Sequence, residues 1–216
     1  MNKKRKKLSF PPSSLRPHPS SLRSPPLLRV FCAVELPAEV RGRAADHIAD
    51  LRSRLPDVRA GWERPEKFHV TLKFLGEVEP VCAAALSSAA ERVARGVKPF
   101  DLSLEGAGVF PPRGLPRVLW LGITDTSGGL ARLHKRLEDE CAEAGFPRED
   151  RPFHPHLTIA RLRVPEGARR LAALHHEKGF APAVFSVNAL SMLRSELGPG
   201  GSRYTELARH PLTGPE

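Results

Sequence analysis

The chain has 216 residues, 40% of them apolar and 27% charged, and a formal net charge of +10. That is enough chain for a substantial core in a single, at most bilobal, soluble domain. No apolar run approaches the roughly 20 residues a helix needs to cross a bilayer, so a helical membrane span is excluded.

Residues 1–27 stand apart. Lys3, Lys4, Arg5, Lys6 and Lys7 open the chain, and Pro12-Ser13-Ser14-Leu15-Arg16 recurs as Pro19-Ser20-Ser21-Leu22-Arg23. This is a basic, Pro/Ser-rich, low-complexity tail, expected to be disordered because it has too little apolar surface to bury. It has no apolar stretch behind its basic start and so is not a secretory signal. Residues 1–28 hold seven Lys and Arg and no acidic residue, which leaves +3 for the rest. The basicity therefore lies mainly in the tail and is not independent evidence that the folded part binds nucleic acid.

The remainder, residues 28–216, reads as one domain. A continuous apolar run predicts a first strand from Leu28 to Leu36. Pro37 suits the first turn of a helix, and Val40, Ala44, Ile48, Leu51 and Leu55 recur at helical spacing until Pro56. Val58 to Trp62 is a short strand. Trp62 is a candidate for stacking on a base, or a partly buried rim residue. Phe68 to Leu75 alternates as a strand. Cys82, Ala85, Leu86, Ala89 and Val93 make the stripe of a second helix that ends at Gly96. Phe100 to Leu104 is a strand, Gly106 to Pro116 a Gly/Pro-rich loop, and Val118 to Ile123 a strand. Leu130, Leu133, Leu137, Cys141 and Ala144 form a third helical stripe, stopped by Gly145, with His134 beside it on the surface. A strand containing His156 follows, then a helix over residues 166–176. His175 and His176, near its end, suit a helix C-terminus better than a metal site. Ala183 to Leu193 and Tyr204 to Arg209 close the chain, with Gly198 to Gly201 as a loose turn.

Two of these strands share a pattern. Strand side chains alternate faces. His69 and Thr71 therefore face one way, opposite Val70, Leu72 and Phe74, and His156 and Thr158 face one way, opposite Leu157 and Ile159. Their surroundings repeat too. Arg29-Val30-Phe31-Cys32-Ala33-Val34 matches Arg117-Val118-Leu119-Trp120-Leu121-Gly122 at an offset of 88, His69 matches His156 at 87, and Phe100–Leu104 matches Phe185–Ala189 at 85. Two such units are too few for a solenoid. They predict two similar lobes whose His-x-Thr faces meet across one small ligand.

The pair His69-Val70-Thr71-Leu72 and His156-Leu157-Thr158-Ile159 resembles the two HxTx motifs of the 2H phosphoesterase superfamily. Within it the chain is most similar to the bacterial and archaeal RNA 2',3'-cyclic phosphodiesterases, also called 2'-5' RNA ligases. Leu72-Lys73-Phe74-Leu75-Gly76, Pro116–Gly122 and His154–Arg161 support the likeness, which covers about residues 28 to 210. Since it begins only near Arg29, the tail reads as a solvated arm or an upstream extension in preference to a nucleic-acid tether. The resemblance implies an α+β, duplicated bilobal fold: two mostly antiparallel sheets, outer helices and a central cleft. It also implies a cytoplasmic, monomeric enzyme acting on RNA ends with a 2',3'-cyclic phosphate. His69 would be the general acid and His156 the general base, giving a 2'-phosphate, with reverse 2'-5' ligation as a side activity.

The residues support that chemistry. Opening a cyclic phosphate needs one group to take the water proton and another to protonate the leaving oxygen, and histidine does both near neutral pH. Thr71 and Thr158 offer hydroxyls to the phosphoryl oxygens, and Arg161 a guanidinium fork. Arg161 has the wrong parity with His156 and reaches the site only if the strand ends or bulges there. Lys73 has the right parity with His69 and is a weaker candidate. No metal or cofactor is expected: HExxH, P-loop and GxSxG patterns are missing, and His154 with His156 has no evident carboxylate or Cys partner. Cys32, Cys82 and Cys141 lie on apolar faces, an odd number without CxxC, as expected of reduced thiols. The rival readings are a non-catalytic RNA-end or nucleotide-binding module, or a phosphodiesterase for 2'-5' oligonucleotides or for ADP-ribose cyclic phosphate.

Overall fold

The computed structural model describes residues 26–199 and 201–215, so the basic tail lies almost wholly outside the described residues. The elements run β1 (Leu28–Glu35), α1 (Ala38–Arg54), β2 (Gly61–Trp62), β3 (His69–Val78), α2 (Pro80–Arg95), β4 (Phe100–Phe110), β5 (Val118–Thr124), α3 (Gly129–Glu143), β6 (His156–Arg161), α4 (Ala168–Lys178), β7 (Ala183–Val187), β8 (Ala189–Gly198) and β9 (Gly201–Pro211). A single 3-10 turn, Pro65–Lys67, precedes β3.

The strands form two antiparallel sheets, one in the order β3-β1-β8-β9 and one in the order β2-β6-β5-β4-β7. The two-lobed α+β architecture is therefore as expected. The lobes are not separate in sequence, however. β4 closes the first repeat but pairs with β5 of the second, and β8, from the second repeat, pairs with β1.

Apolar stripes hold the helices against the sheets. α2 buries Leu86, Ala89, Ala90, Val93 and Ala94, and α3 buries Leu130, Leu133, Leu137 and Cys141. The start of α3 is tied down by Asp125, whose carboxylate accepts the amides of Gly129, Leu130 and Ala131. This is the anion-at-N-terminus arrangement that satisfies orphan helix donors. Cys32 and Cys141 are buried free thiols, and burial pushes both up, Cys141 to about 11.

Several expectations are corrected. β4 continues through Gly106 to Phe110, so the Gly/Pro-rich loop begins only at Pro111. The segment Ala183–Leu193 is two strands broken at Asn188, and the repeat landmark Phe185–Ala189 straddles that break. The turn after β8 is tight, because Gly198 and Gly201 are themselves paired. His175 lies in the last turn of α4, as expected, but it is not solvated there. It is fully buried, and with its Nε2 donating to the Trp120 carbonyl (3.0 Å) its Nδ1 accepts from His47 Nε2 (2.9 Å). Burial then holds His47 down at about 4, with His175 adding to the effect.

Candidate active site

β3 and β6 do more than alternate. Between β1 and β3 the register shifts after Thr71, because Ala33 pairs with Thr71 while Cys32 pairs with Lys73. Leu72 is the extra residue. Leu72 and Lys73 are consecutively buried, and Phe74 returns to the exposed face beside His69 and Thr71. β6 repeats the device. Thr158 pairs with Trp120 and Ala160 with Leu119, leaving Ile159 extra; Ile159 and Ala160 are both buried, and Arg161 emerges beside His156 and Thr158. A bulge at the equivalent place in each strand shifts the alternation by one residue; β3 has a second irregularity farther on, at Leu75. It brings Arg161 to the site against simple parity, as a bulged strand requires. By the same shift Lys73 is taken away from it.

The two faces meet across a cleft of about 290 Å³, lined by His69, Thr71, Phe74, His156, Thr158 and Arg161 together with Glu63, Lys67, Phe110 and Tyr204. All five expected site residues are there. His69 Nδ1 lies 2.7 Å from the Lys67 carbonyl, and His156 Nδ1 lies 2.7 Å from the His154 carbonyl. A carbonyl only accepts, so each Nδ1 carries the proton and each neutral ring keeps its Nε2 lone pair free. Both contacts run to the residue two positions back, so the two rings are fixed in the same way.

The surroundings of the rings differ. His69 packs against Phe31 (4.8 Å between centroids) and meets Tyr204 edge-on (5.1 Å). His156 packs edge-on against Phe110 (5.1 Å) and lies near Trp120 (6.3 Å). The indole of Trp120 lies across Gly108, where a Cβ would collide with it. Burial holds both imidazoles below their ordinary value. The Lys67 carbonyl and the Glu35 carboxylate pull His69 back up, against smaller opposing effects of Arg161 and His156. Around His156 the His154 carbonyl pulls up, but Arg161 and the His154 ring push down. Arg161 itself is braced by Glu63, 3.6 Å from its Nε. Burial, with Glu63, raises the Tyr204 hydroxyl.

Lys73 has a structural partner instead of a place in the cleft. Its Nζ donates to both oxygens of Glu138 and to the Pro147 carbonyl, each at 2.8 Å, and the Glu149 amide donates to Glu138 at 3.2 Å. One turn before Glu138, His134 stacks on Phe153 at 3.9 Å with the planes 6° apart. Thus His134 is not a free surface residue. Phe153 precedes His154, whose carbonyl holds His156. This network ties β3 and α3 to the loop that delivers the second histidine. Trp62 is also elsewhere: paired with Ala160, it lines a separate recess with Arg52 and Arg59.

Phe74, Phe110, Glu63, Lys67 and Tyr204 were not anticipated. Phe74 was legible only through the bulge, and Tyr204 through its strand lying near β1 in space. Against this geometry the family model of the 2'-5' RNA ligase superfamily matches residues 38–199. The chain belongs to this superfamily. Among its relatives, the RNA 2',3'-cyclic phosphodiesterase of Methanothermobacter thermautotrophicus is 34% identical over 183 residues, covering 83% of this chain and 96% of the relative. The enzyme of the same name from Escherichia coli is 35% identical over 188 residues, covering 86% and 97%. The structure of TT0787 from Thermus thermophilus aligns with a TM-score of 0.71 at 31% identity, covering 87% of this chain and all of that one. Escherichia coli LigT bound to 3'-AMP aligns with a TM-score of 0.66 at 31% identity, covering 87% and 99%. The chain thus spans at least 96% of each of these relatives.

Proposed function

We propose that this protein hydrolyses RNA 2',3'-cyclic phosphate ends to 2'-phosphomonoesters by acid/base catalysis between His69 and His156. The observation that carries the reading is the matched pair of imidazoles, each with Nδ1–H on a backbone carbonyl and Nε2 free, facing one cleft with two threonines and an arginine. A module that only bound RNA ends would need the threonines and the arginine but not a matched acid and base.

The surroundings favour one assignment of roles. Next to Glu35, His69 is the better placed to carry a proton, and a bound phosphate anion favours its charged form further. Next to Arg161, His156 is kept neutral and suits the base. In the forward step water attacks phosphorus in line. Its proton passes to His156 Nε2, the P–O3' bond breaks, and His69 Nε2–H protonates the leaving 3' oxygen. Thr71, Thr158 and the free amino groups of Arg161 donate to the phosphoryl oxygens as charge builds. Every role is filled by a protein side chain, so the step requires no metal. A 5'-hydroxyl of RNA in place of water would run the same chemistry to a 2'-5' bond. The aromatic faces of Phe74 and Tyr204 give the terminal base a stacking surface.

The test is an assay of the purified protein on a short RNA ending in a 2',3'-cyclic phosphate, in EDTA, with the product read by phosphorus NMR. A 2'-phosphate is expected. A 3'-phosphate would overturn the assigned leaving group, and bound but unreacted RNA would overturn catalysis on this substrate.

A further inference from the structure

At Arg161 the cleft borders a second groove of about 590 Å³ along the rim of the β5–β6 end of the sheet. Val118 and Arg161 line both spaces. The groove adds Arg117 and Arg163, with Leu115, Val164 and Pro165 as an apolar wall, and no acidic residue lines it.

This concentration of cations is not general basicity, because residues 29–216 carry a net charge of only +3. Some arginines elsewhere are engaged, such as Arg148 with Asp139 and Arg170 with Asp57, and at the edge of the groove Arg161 pairs with Glu63. Among the described residues neither Arg117 nor Arg163 has a carboxylate in ion-pair contact, and both are exposed. The backbones of Arg117 and of Leu162, the residue before Arg163, are nonetheless pinned. The Arg117 amide donates to the Phe110 carbonyl and the Leu162 amide to the Arg117 carbonyl, each at 2.8 Å. The arginines therefore stand at the ends of adjacent hydrogen-bonded strands. Unsatisfied guanidinium groups along an apolar wall suit the sugar-phosphate backbone of a single strand. Arg163 also lies on the order of 20 Å of chain beyond His156, at about 3.3 Å per residue, farther than one nucleotide extends.

We propose that this groove binds the RNA body 5' of the cyclic phosphate, so that the preferred substrate is an oligonucleotide and not a nucleoside cyclic phosphate. The inference rests on the proposed function for its reacting end, but the groove can be tested separately. The variant R117A/R163A is compared with the wild type on a short single-stranded RNA ending in a 2',3'-cyclic phosphate and on a nucleoside 2',3'-cyclic monophosphate. The expected result is a loss of about tenfold or more in kcat/KM on the RNA, with the nucleoside rate unchanged within about twofold. The slope of log affinity against log salt for the RNA falls by about 1.4, as two lost phosphate contacts predict for a single strand. Equal losses on both substrates, or no loss on either, overturn the proposal. A parallel measurement follows binding of a fluorescent RNA bearing a 2'-phosphate end, which requires no turnover. If the wild type turns over neither substrate, the proposed reaction fails, while weaker RNA binding by the variant still upholds the groove. RNA binding that is indifferent to both substitutions sinks the groove alone.

Discussion

His69 and His156 occupy equivalent positions on bulged strands, yet the segments that deliver them are built differently. Before His69 the chain makes one 3-10 turn, closed by backbone bonds from Lys67 to Arg64 and from Phe68 to Pro65. Before His156 it runs through an irregular stretch after α3, held by the Lys73–Glu138 pair and the His134–Phe153 stack. The position three residues after each Thr differs as well: Phe74 in one strand, Arg161 in the other. A symmetric pair of imidazoles therefore rests on asymmetric supports. The aromatic side of the cleft belongs to the first strand and the cationic side to the second.

Four experiments would break or sharpen this contrast. The largest effect is expected where the halves are alike. His69→Ala and His156→Ala should each lower kcat by about 10²–10⁴-fold while the circular dichroism spectrum and Tm are kept. Near-full activity in either variant would sink the two-histidine mechanism.

Next comes the support found only on the second side. Lys73→Met leaves the Glu138 carboxylate buried without its partner and should cost about 3–5 kcal/mol in urea unfolding. Lys73→Met/Glu138→Leu removes both charges and should recover most of that stability, since an apolar pair often replaces a buried ion pair without loss. The loop before His156 would still lack its ties to Pro147 and Glu149, so kcat should stay reduced in the stable double variant. Full activity there would mean that the network serves folding alone.

The Phe74 and Arg161 positions should separate by substrate part. Arg161→Ala should cost about 2–3 kcal/mol in kcat/KM on every cyclic phosphate, because it removes a charged donor to the phosphoryl group. Phe74→Ala should cost about 1–3 kcal/mol, mostly in KM, and only on substrates that carry a base. A Phe74→Ala effect on kcat alone would contradict a stacking role.

The smallest effect is a shift in pH dependence. Burial lowers both histidines in the free enzyme. In the proposed mechanism His156 must be neutral to act, so activity falls as the pH drops through its depressed value. His69 must be protonated, so activity falls as the pH rises through its own. A bound phosphate anion raises His69, and the alkaline limb of kcat should therefore lie at higher pH than that of kcat/KM. Coincident limbs would show that the bound phosphate does not act on His69.

The helices, the central strands and the two histidines were legible because each rests on local periodicity. The stripe Leu130, Leu133, Leu137, Cys141 is buried as spaced. The bulges were not legible, since an extra residue such as Leu72 or Ile159 is defined by the partner strand and not by its own neighbours. That is why parity assigned Lys73 to the cleft and placed Arg161 outside it. A lysine inside the apolar run Val70–Leu75 was the one local sign of a buried partner. Glu138 gave none, because a carboxylate beside a helical stripe looks solvated. Glu63 reaches the cleft by a pairing of β2 with β6 nearly a hundred residues on, and Tyr204 through β8, whose pairing with β1 spans more than a hundred; no local pattern records either.

The exchange of β4 and β8 between the repeats bears on how the cleft can move. Each half is stitched into the other's sheet by main-chain hydrogen bonds, so no single linker exists about which one lobe could swing. A nick in residues 111–116 should leave the two fragments associated, since β4 remains a central strand of the sheet built mainly by the later fragment. The separation of the imidazoles is thus set across two sheets between which the chain passes several times, like the gauge of a track held by many ties. Discrimination among RNA ends then falls to side chains at the rim and not to closure of the lobes around the substrate.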